Sequence, residues 1–315
     1  MKIVETPIGL PDEVPNIVLA AGFFDGVHLG HRQIIASTLA CARESGAKAW
    51  VLTFDPHPLA VIAPERKPPL LTRLELRLEL LAEMGIDGCL VMPFTKELAA
   101  LSPEQFISLV FSGWMKPEHH CTVVSGDNWK FGHARAGSLV TITSISQGKI
   151  KILQAPMVEH EGRRISSSII RATIKNGDLI EATAMLGRPH LVRERTLYGR
   201  GIGTKLGFAT ANFRPDAEVL PPVGVYEVEA CIRSHSPSPW LKGVANLGYR
   251  PTFADSDLHV PEFEVHILDY EGDLHGEELD VRFIRRLRDE LKFDSVDALV
   301  QQIKLDILAV RSARM

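Results

Sequence analysis

Gly22-Phe23-Phe24-Asp25-Gly26-Val27-His28-Leu29-Gly30-His31 follows a wholly apolar run at 17–21 and opens a helical window at about 30–45. A short apolar run before a glycine-rich turn reads as a buried strand, and the window after it as a covering helix. Such a junction offers unpaired backbone N–H groups and the positive end of a helix dipole to an anion. Gly22, Gly26 and Gly30 allow close backbone approach. His28 and His31 flank Gly30, so both imidazoles can address one phosphoryl group as charge develops on it. An isolated His-x-Gly-His is as readily a pair of solvated capping residues. The strand before, the helix after and Phe24-Asp25-Gly26 beside it favour a phosphate site.

Working outward, the first half alternates short apolar runs with helical windows. A strand is expected at 49–54. Thr72 and Glu75 form a capping box for a helix that Gly85 ends, and 89–92 is the next strand. Ser102-Pro103-Glu104-Gln105 starts another helix, with 121–125 a strand after it. This order predicts an α/β domain built on a mostly parallel sheet. Beyond Gly187 the period drops to two, with Tyr226, Val228, Ala230 and Ile232 alternating with Glu227, Glu229 and Cys231. Residues 263–268 and 279–283 repeat the pattern, which is that of half-buried antiparallel strands, and a small barrel or sandwich fits. A final helix from about 295 carries one stripe: Val296, Leu299, Val300, Ile303 and Ile307.

A chain of 315 residues, 45% apolar and 23% charged, accommodates two domains with separate cores. The net charge of -4 and the lack of a basic run argue against a nucleic-acid groove. Cys41, Cys89, Cys121 and Cys231 lack metal-ligand spacing and read as reduced thiols. Neither a leader pattern nor a membrane-length apolar run is found, so a cytoplasmic location is expected.

The extended GxFDGxHxGH pattern resembles the FAD synthetase branch of the HxGH nucleotidyltransferases. Thr53-Phe54-Asp55-Pro56-His57-Pro58 is similar to that family's TFxPHP loop, which puts Pro56 and His57 at the flavin. Phe131 to Gly137 matches FGxxRxG and places Arg135 at a phosphate. Ile165-Ser166-Ser167-Ser168-Ile169-Ile170-Arg171 resembles ISSTxIR, whose matching residues Ser166, Ser167, Ser168 and Arg171 would hold nucleotide phosphates. Where the family has G-x-D-F, this chain has Gly126-Asp127-Asn128-Trp129, so Asn128 would meet the flavin without a charge.

The second half resembles riboflavin kinase. Leu186-Gly187-Arg188-Pro189 looks like the junction segment, and the run from Gly199 to Asn212 the region ending in G-F-P-T-A-N. The resemblance implies that Gly201, Gly203 and Gly207 wrap phosphates, and that Thr210 and Asn212 hold Mg²⁺ and nucleotide. Glu264, in an E-V-H strand, would be the general base. Arg250, Arg288 and Phe293, from the NxGxRPTF and LRDExKF segments, would border the flavin. Ala209 stands in place of the motif's proline and Thr204 in place of its arginine.

The resemblance therefore implies a Rossmann-like FMN adenylyltransferase domain at 1–185 and a β-barrel riboflavin kinase domain with a C-terminal helix at 186–315. ATP would be co-substrate, with riboflavin, FMN and FAD as substrates and products. His28 and His31 would serve adenylyl transfer. The expected partners are small molecules, with neither nucleic acid nor membrane, and oligomeric state stays open. The departures at Asn128, Trp129, Thr204 and Ala209 leave two alternatives: one activity retained, or a flavin-binding protein that catalyses neither step.

Overall fold

The structure, a computed structural model, describes residues 1–197, 208–214, 219–235, 238–249 and 261–312. Two compact units divide the chain, residues 1–69 with 73–167 and residues 70–72 with 168–315. Their boundary lies between Ser167 and Ser168. The helix Leu179–Leu186 and all but the first residue of the helix Ser167–Lys175 thus group with the second unit.

In the first unit six strands run parallel: β1 (Lys2–Val4), β2 (Asn16–Ala21), β3 (Lys48–Asp55), β4 (Gly88–Pro93), β5 (His120–Ser125) and β6 (Ile150–Gln154). Their spatial order is β1-β4-β3-β2-β5-β6. Ile17, Leu19 and Ala21 pack with Trp50, Leu52 and Phe54 in one core. Val18 and Ala20 join Ala49 and Val51 in another. Burial on both faces explains why these strands read as unbroken apolar runs. The chain leaves β2 for β3 on one side and later returns to place β5 on the other. That reversal opens a crevice at the carboxyl ends of neighbouring strands. The segments at the carboxyl ends of β2, β3 and β5 carry the motifs at 22–31, 53–58 and 126–137. A hairpin, β7 (Glu159–His160) and β8 (Arg163–Arg164), follows β6.

One expected cap does not form. The helix Leu74–Glu83 takes Arg73 as its N-cap, without a side-chain bond. Thr72 is 1% exposed and lies in the short segment 70–72, whose Leu70 carbonyl accepts from the Val219 amide. The helix begins one residue later than the Thr72–Glu75 box requires, so Thr72 precedes the N-cap instead of occupying it. The Ser102–Gln105 box forms as the sequence predicts, on the helix Pro103–Phe111.

The second unit holds β9 (His190–Arg195), β10 (Ala211–Phe213), β11 (Gly224–Ile232), β12 (Leu241–Tyr249), β13 (Pro261–Ile267) and β14 (Glu278–Arg288). They form an antiparallel sheet in the order β10-β13-β12-β11-β14-β9. Its two edges are bridged where the Leu197 amide, just past β9, donates to the Asn212 carbonyl of β10 at 2.8 Å. That bond draws the curled sheet toward closure as a barrel. Phe213, Tyr226, Phe263 and Phe283 fill its interior.

The helix Val296–Ser312 packs on β12. Leu299, Val300, Ile303 and Ile307 are half-buried as the stripe predicts, whereas Val296 is 61% exposed. The buried face runs instead to Val310 and includes Asp306, an acid whose partner is remote in sequence. Among the described residues no helix is long and apolar enough to cross a membrane.

Candidate active sites

Beyond β2 the Gly22 amide donates to the Leu52 carbonyl at 3.1 Å, and the loop then turns through left-handed backbone. Phe24, Gly26 and Val27 have φ of 60°, 85° and 40°. Positive φ at two non-glycine residues stores strain, which surrounding contacts must over-determine. His28 caps the helix Leu29–Ser45; its Nδ1 accepts from the His31 amide at 3.3 Å. Neutral His28 therefore carries its proton on Nε2. The two imidazoles stack with centroids 3.6 Å apart and planes at 18°. Gly30 makes room for this, since a Cβ there would lie 3.1 Å from His28 Cε1.

His31 is held well below the ordinary histidine range, first by burial and then by His28 and the Arg77 guanidinium. Its buried Nδ1 has no hydrogen-bond partner among the described residues. A neutral His31 stacked on His28 at a helix N-terminus can supply a dipolar N–H group rather than a permanent charge. Such an arrangement can accept negative charge growing on a phosphate.

Neighbouring segments converge on this loop. Ser167 Oγ donates to the Asp25 carbonyl at 2.9 Å, which joins the Ser166-Ser167 segment to it. Asp25 itself is 2% exposed. Ser168 and Arg171 lie further along the same helix, on residues counted with the second unit. From β3, Thr53 Oγ1 donates to the Phe23 carbonyl at 2.9 Å, and the Phe23 ring meets His57 edge-on at 4.5 Å. His57 Nδ1 accepts from the Leu59 amide, and Pro56 is exposed beside it.

After β5, Asp127 turns to Arg164 of β8, with N–O distances of 2.6 and 3.2 Å, and Asn128 is exposed. The Arg164 hydrogen bond lowers the Asp127 pKa. Trp129 rests on Phe131, with ring centroids 4.9 Å apart. Phe131 and Gly137 exchange backbone hydrogen bonds of 3.2 and 2.8 Å around the FGxxRxG loop. At its tip Ala134 and Arg135 are both left-handed, which presents the Arg135 side chain to solvent.

Sequence reasoning passed over Arg77, which is 1% exposed. Its Nη1 donates to the Phe23 carbonyl at 2.9 Å and its Nη2 to the Phe54 carbonyl at 3.1 Å. The available signal was a basic residue set among Leu74, Leu78 and Leu81, on the apolar face of a helix.

In the second unit strand register assembles a polar row. Asn212 of β10 is the partner of Glu264 on β13, which is in turn the partner of Asn246 on β12. Directly opposed residues share a face, so all three project from the side opposite Phe263 and Val265. Asn246 is the first residue of the NxGxRPTF segment. His266, two residues beyond Glu264, donates from Nδ1 to the Ala209 carbonyl at 2.8 Å, and its ring meets Phe208 edge-on. The Asn212 carboxamide donates to the Thr210 carbonyl at 3.3 Å.

Arg288 is bound by Asp306: Nε lies 3.0 Å from Oδ1 and Nη2 2.8 Å from Oδ2. Its Cζ is 6.0 Å from the Phe293 ring centroid. Gly201, Gly203, Thr204, Gly207 and Arg250 lie outside the described residues.

The FAD synthetase family pattern matches residues 10–169, and the riboflavin kinase pattern residues 186–313. A Bacillus subtilis bifunctional riboflavin kinase/FMN adenylyltransferase is 32% identical over 94% of this chain and 92% of its own length. The Escherichia coli K12 protein of the same description is 34% identical over 93% of this chain and 91% of its own. The chain belongs to the bifunctional riboflavin kinase/FMN adenylyltransferase family. A solved Streptococcus pneumoniae structure, described as a macrolide-efflux protein, shares 28% identity and a TM-score of 0.82, covering 99% of both chains. The two patterns of this family fall on the parallel-sheet unit and on the barrel, each of which carries its own candidate site.

Proposed function

We propose that the chain makes FAD in two ATP-dependent steps, one in each unit. In the barrel, Glu264 accepts the proton of the riboflavin 5′-hydroxyl as its oxygen attacks the γ-phosphorus of ATP. FMN forms and ADP leaves. In the parallel-sheet unit, an FMN phosphate oxygen attacks the α-phosphorus of a second ATP. The new P–O–P bond completes FAD, and pyrophosphate departs with the electron pair of the broken bond. His28 and His31 then donate to the charge on the transferring and leaving phosphates, supported by the helix N-terminus. Ser166, Ser167, Ser168, Arg135 and Arg171 are assigned to further phosphate oxygens, with Pro56, His57 and Asn128 at the flavin.

The kinase assignment rests on the row Asn212–Glu264–Asn246, which sets a carboxylate between two carboxamides on one face of the barrel. Thr210 and Asn212 offer a hydroxyl and a carboxamide oxygen. These are hard donors of the kind Mg²⁺ takes when it retains waters and shares substrate phosphates. The Asn212–Thr210 bond turns the amide nitrogen to the backbone and presents Oδ1 for such a role. Bound there, Mg²⁺ would offset the negative charge of the polyphosphate. Residues 186–315 are assigned to the kinase domain.

Incubation of the full chain with riboflavin, ATP and Mg²⁺, with products separated by chromatography, tests the reading. FMN followed by FAD is expected. In Glu264→Gln, FMN formation should fall about 10²- to 10⁴-fold, the usual contribution of a general base. Supplied FMN should still become FAD in that variant. FMN as the sole product would remove the adenylyltransferase assignment, and conversion of FMN alone would remove the kinase.

A further inference from the structure

Arg77 sits on the apolar face of the helix Leu74–Glu83, between Leu76 and Leu81, which are buried with it. A guanidinium removed from water is costly unless its donors are engaged and its charge is compensated. The backbone of two functional loops engages two of its donors, while the buried Nε has no hydrogen-bond partner among the described residues. Nη1 donates to the Phe23 carbonyl, at the entrance to the anion loop. Nη2 donates to the Phe54 carbonyl, one residue before Asp55-Pro56-His57. Asp25 and Asp55, one carboxylate from each loop, supply favourable charge. The guanidinium also lies 4.4 Å from the centroid of the Phe23 ring, whose edge contact with His57 links the same two loops.

The Phe23 carbonyl is therefore held twice, by Arg77 from the helix and by Thr53 Oγ1 from β3. Phe24, the next residue, is left-handed at φ 60° and leads into the loop capped by His28. Strained backbone persists where its flanks are fixed from more than one side. We propose that Arg77 is a positioning residue for adenylyl transfer: it fixes the histidine-bearing anion loop and the Pro56-His57 loop in one relative geometry. It touches neither substrate. It acts by setting the distance between the segment assigned to the ATP phosphates and the segment assigned to the flavin. This inference rests on the adenylyltransferase reading of the first unit.

The test compares full-length wild type, Arg77→Lys, Arg77→Met and Thr53→Val. FMN adenylylation is measured as separate kcat and KM values for FMN and ATP. Riboflavin phosphorylation by the same molecules serves as the reference, and thermal unfolding reports folding of both units. Arg77→Met retains a stem of similar bulk but loses both bonds and the charge. Its adenylylation kcat should fall about 10²-fold, the loss that follows a misplacement of about 1 Å. Arg77→Lys keeps the charge with a single reach and should recover about tenfold of that loss. Thr53→Val, which removes the second donor to Phe23, should lower kcat roughly three- to tenfold. Phosphorylation should stay within about twofold throughout.

A general packing role would lower the yield of folded protein and leave kcat per folded site unchanged in Arg77→Lys and Thr53→Val. That outcome overturns the inference. Should Arg77→Met fail to fold, the lysine and valine variants still decide the matter. A wild type that makes FMN without FAD would instead refute the adenylyltransferase reading, a result separable from any difference among the variants.

Discussion

Asp306 and Arg288 offer a quantitative test of how the C-terminal helix is held. Side-chain exposure is 6% for the aspartate and 19% for the arginine. The pair makes a bidentate contact, Nε–Oδ1 at 3.0 Å and Nη2–Oδ2 at 2.8 Å, and Gln302 donates to Oδ1 at 3.0 Å. Removing one partner of a buried ion pair costs about 3–5 kcal/mol, because the other charge stays desolvated and unmatched. The arginine's residual access to water favours the lower end. Arg288→Met and Asp306→Leu should therefore each destabilise the protein by about 3 kcal/mol, whereas the double variant should come within about 1 kcal/mol of wild type. For a unit of this size each single variant corresponds to a midpoint fall of ~6–12 °C. Thermal unfolding of the four proteins, with the midpoint of riboflavin kinase activity as a second probe, gives the coupling energy. Additive losses in the double variant would refute the pairing argument. The same set addresses the proposed flavin contact of Arg288. A riboflavin KM raised in Arg288→Met and still raised in the stable double variant supports that contact. A KM restored together with stability leaves Arg288 with helix docking alone.

Two further predictions concern the two candidate sites. His31 resists protonation in the folded protein, whereas in the unfolded chain it takes up a proton near pH 6.5. The unfolded state thus binds more protons below that pH. Stability should decline as pH falls through 6.5, with a limiting slope of about 1.4 kcal/mol per pH unit from this residue, and should be unaffected by it above neutrality. His31→Gln should flatten the dependence of melting temperature on pH between about 5 and 7; an unchanged profile would contradict a buried neutral imidazole. On the barrel, His266→Ala removes the bond to the Ala209 carbonyl, and the KM for ATP in riboflavin phosphorylation should rise about fivefold, or ~1 kcal/mol. Adding Ala209→Pro, the residue of the family pattern, should recover part of that loss by restricting the same backbone. Equal KM values in all three proteins would remove His266 from loop positioning.

Much of this architecture was legible because it is written at short range. Apolar runs buried on both faces announce parallel strands, and a change to period two announces half-buried antiparallel strands. The Ser102–Gln105 capping box marks its helix within four residues. The strands β1, β6, β9 and β12 were missed; Lys2, Lys151, Arg193 and Lys242 break their apolar runs. The Thr72 cap was misread because the helix starts one residue later than the Thr72–Glu75 spacing implies, and local pattern fixes a helix start only to within a residue or two. In the same way the apolar stripe of the last helix hid Asp306, an acid made tolerable by an arginine on β14.

Residue order alone determined the two-domain plan, the parallel sheet of the first half and the antiparallel strands of the second, and the identity of the histidine-bearing turn and the Glu264 strand. Each follows from local periodicity, from glycine and proline punctuation, or from motifs whose members lie within a few residues. Only tertiary structure decided that Arg77 ties the loops after β2 and β3, that Asn246 joins the row of Asn212 and Glu264, and that Arg288 is held by Asp306. Those facts depend on strand order, register and the match of buried charges across long sequence separations. No local pattern encodes them, because their energy is set by which distant groups lose water together.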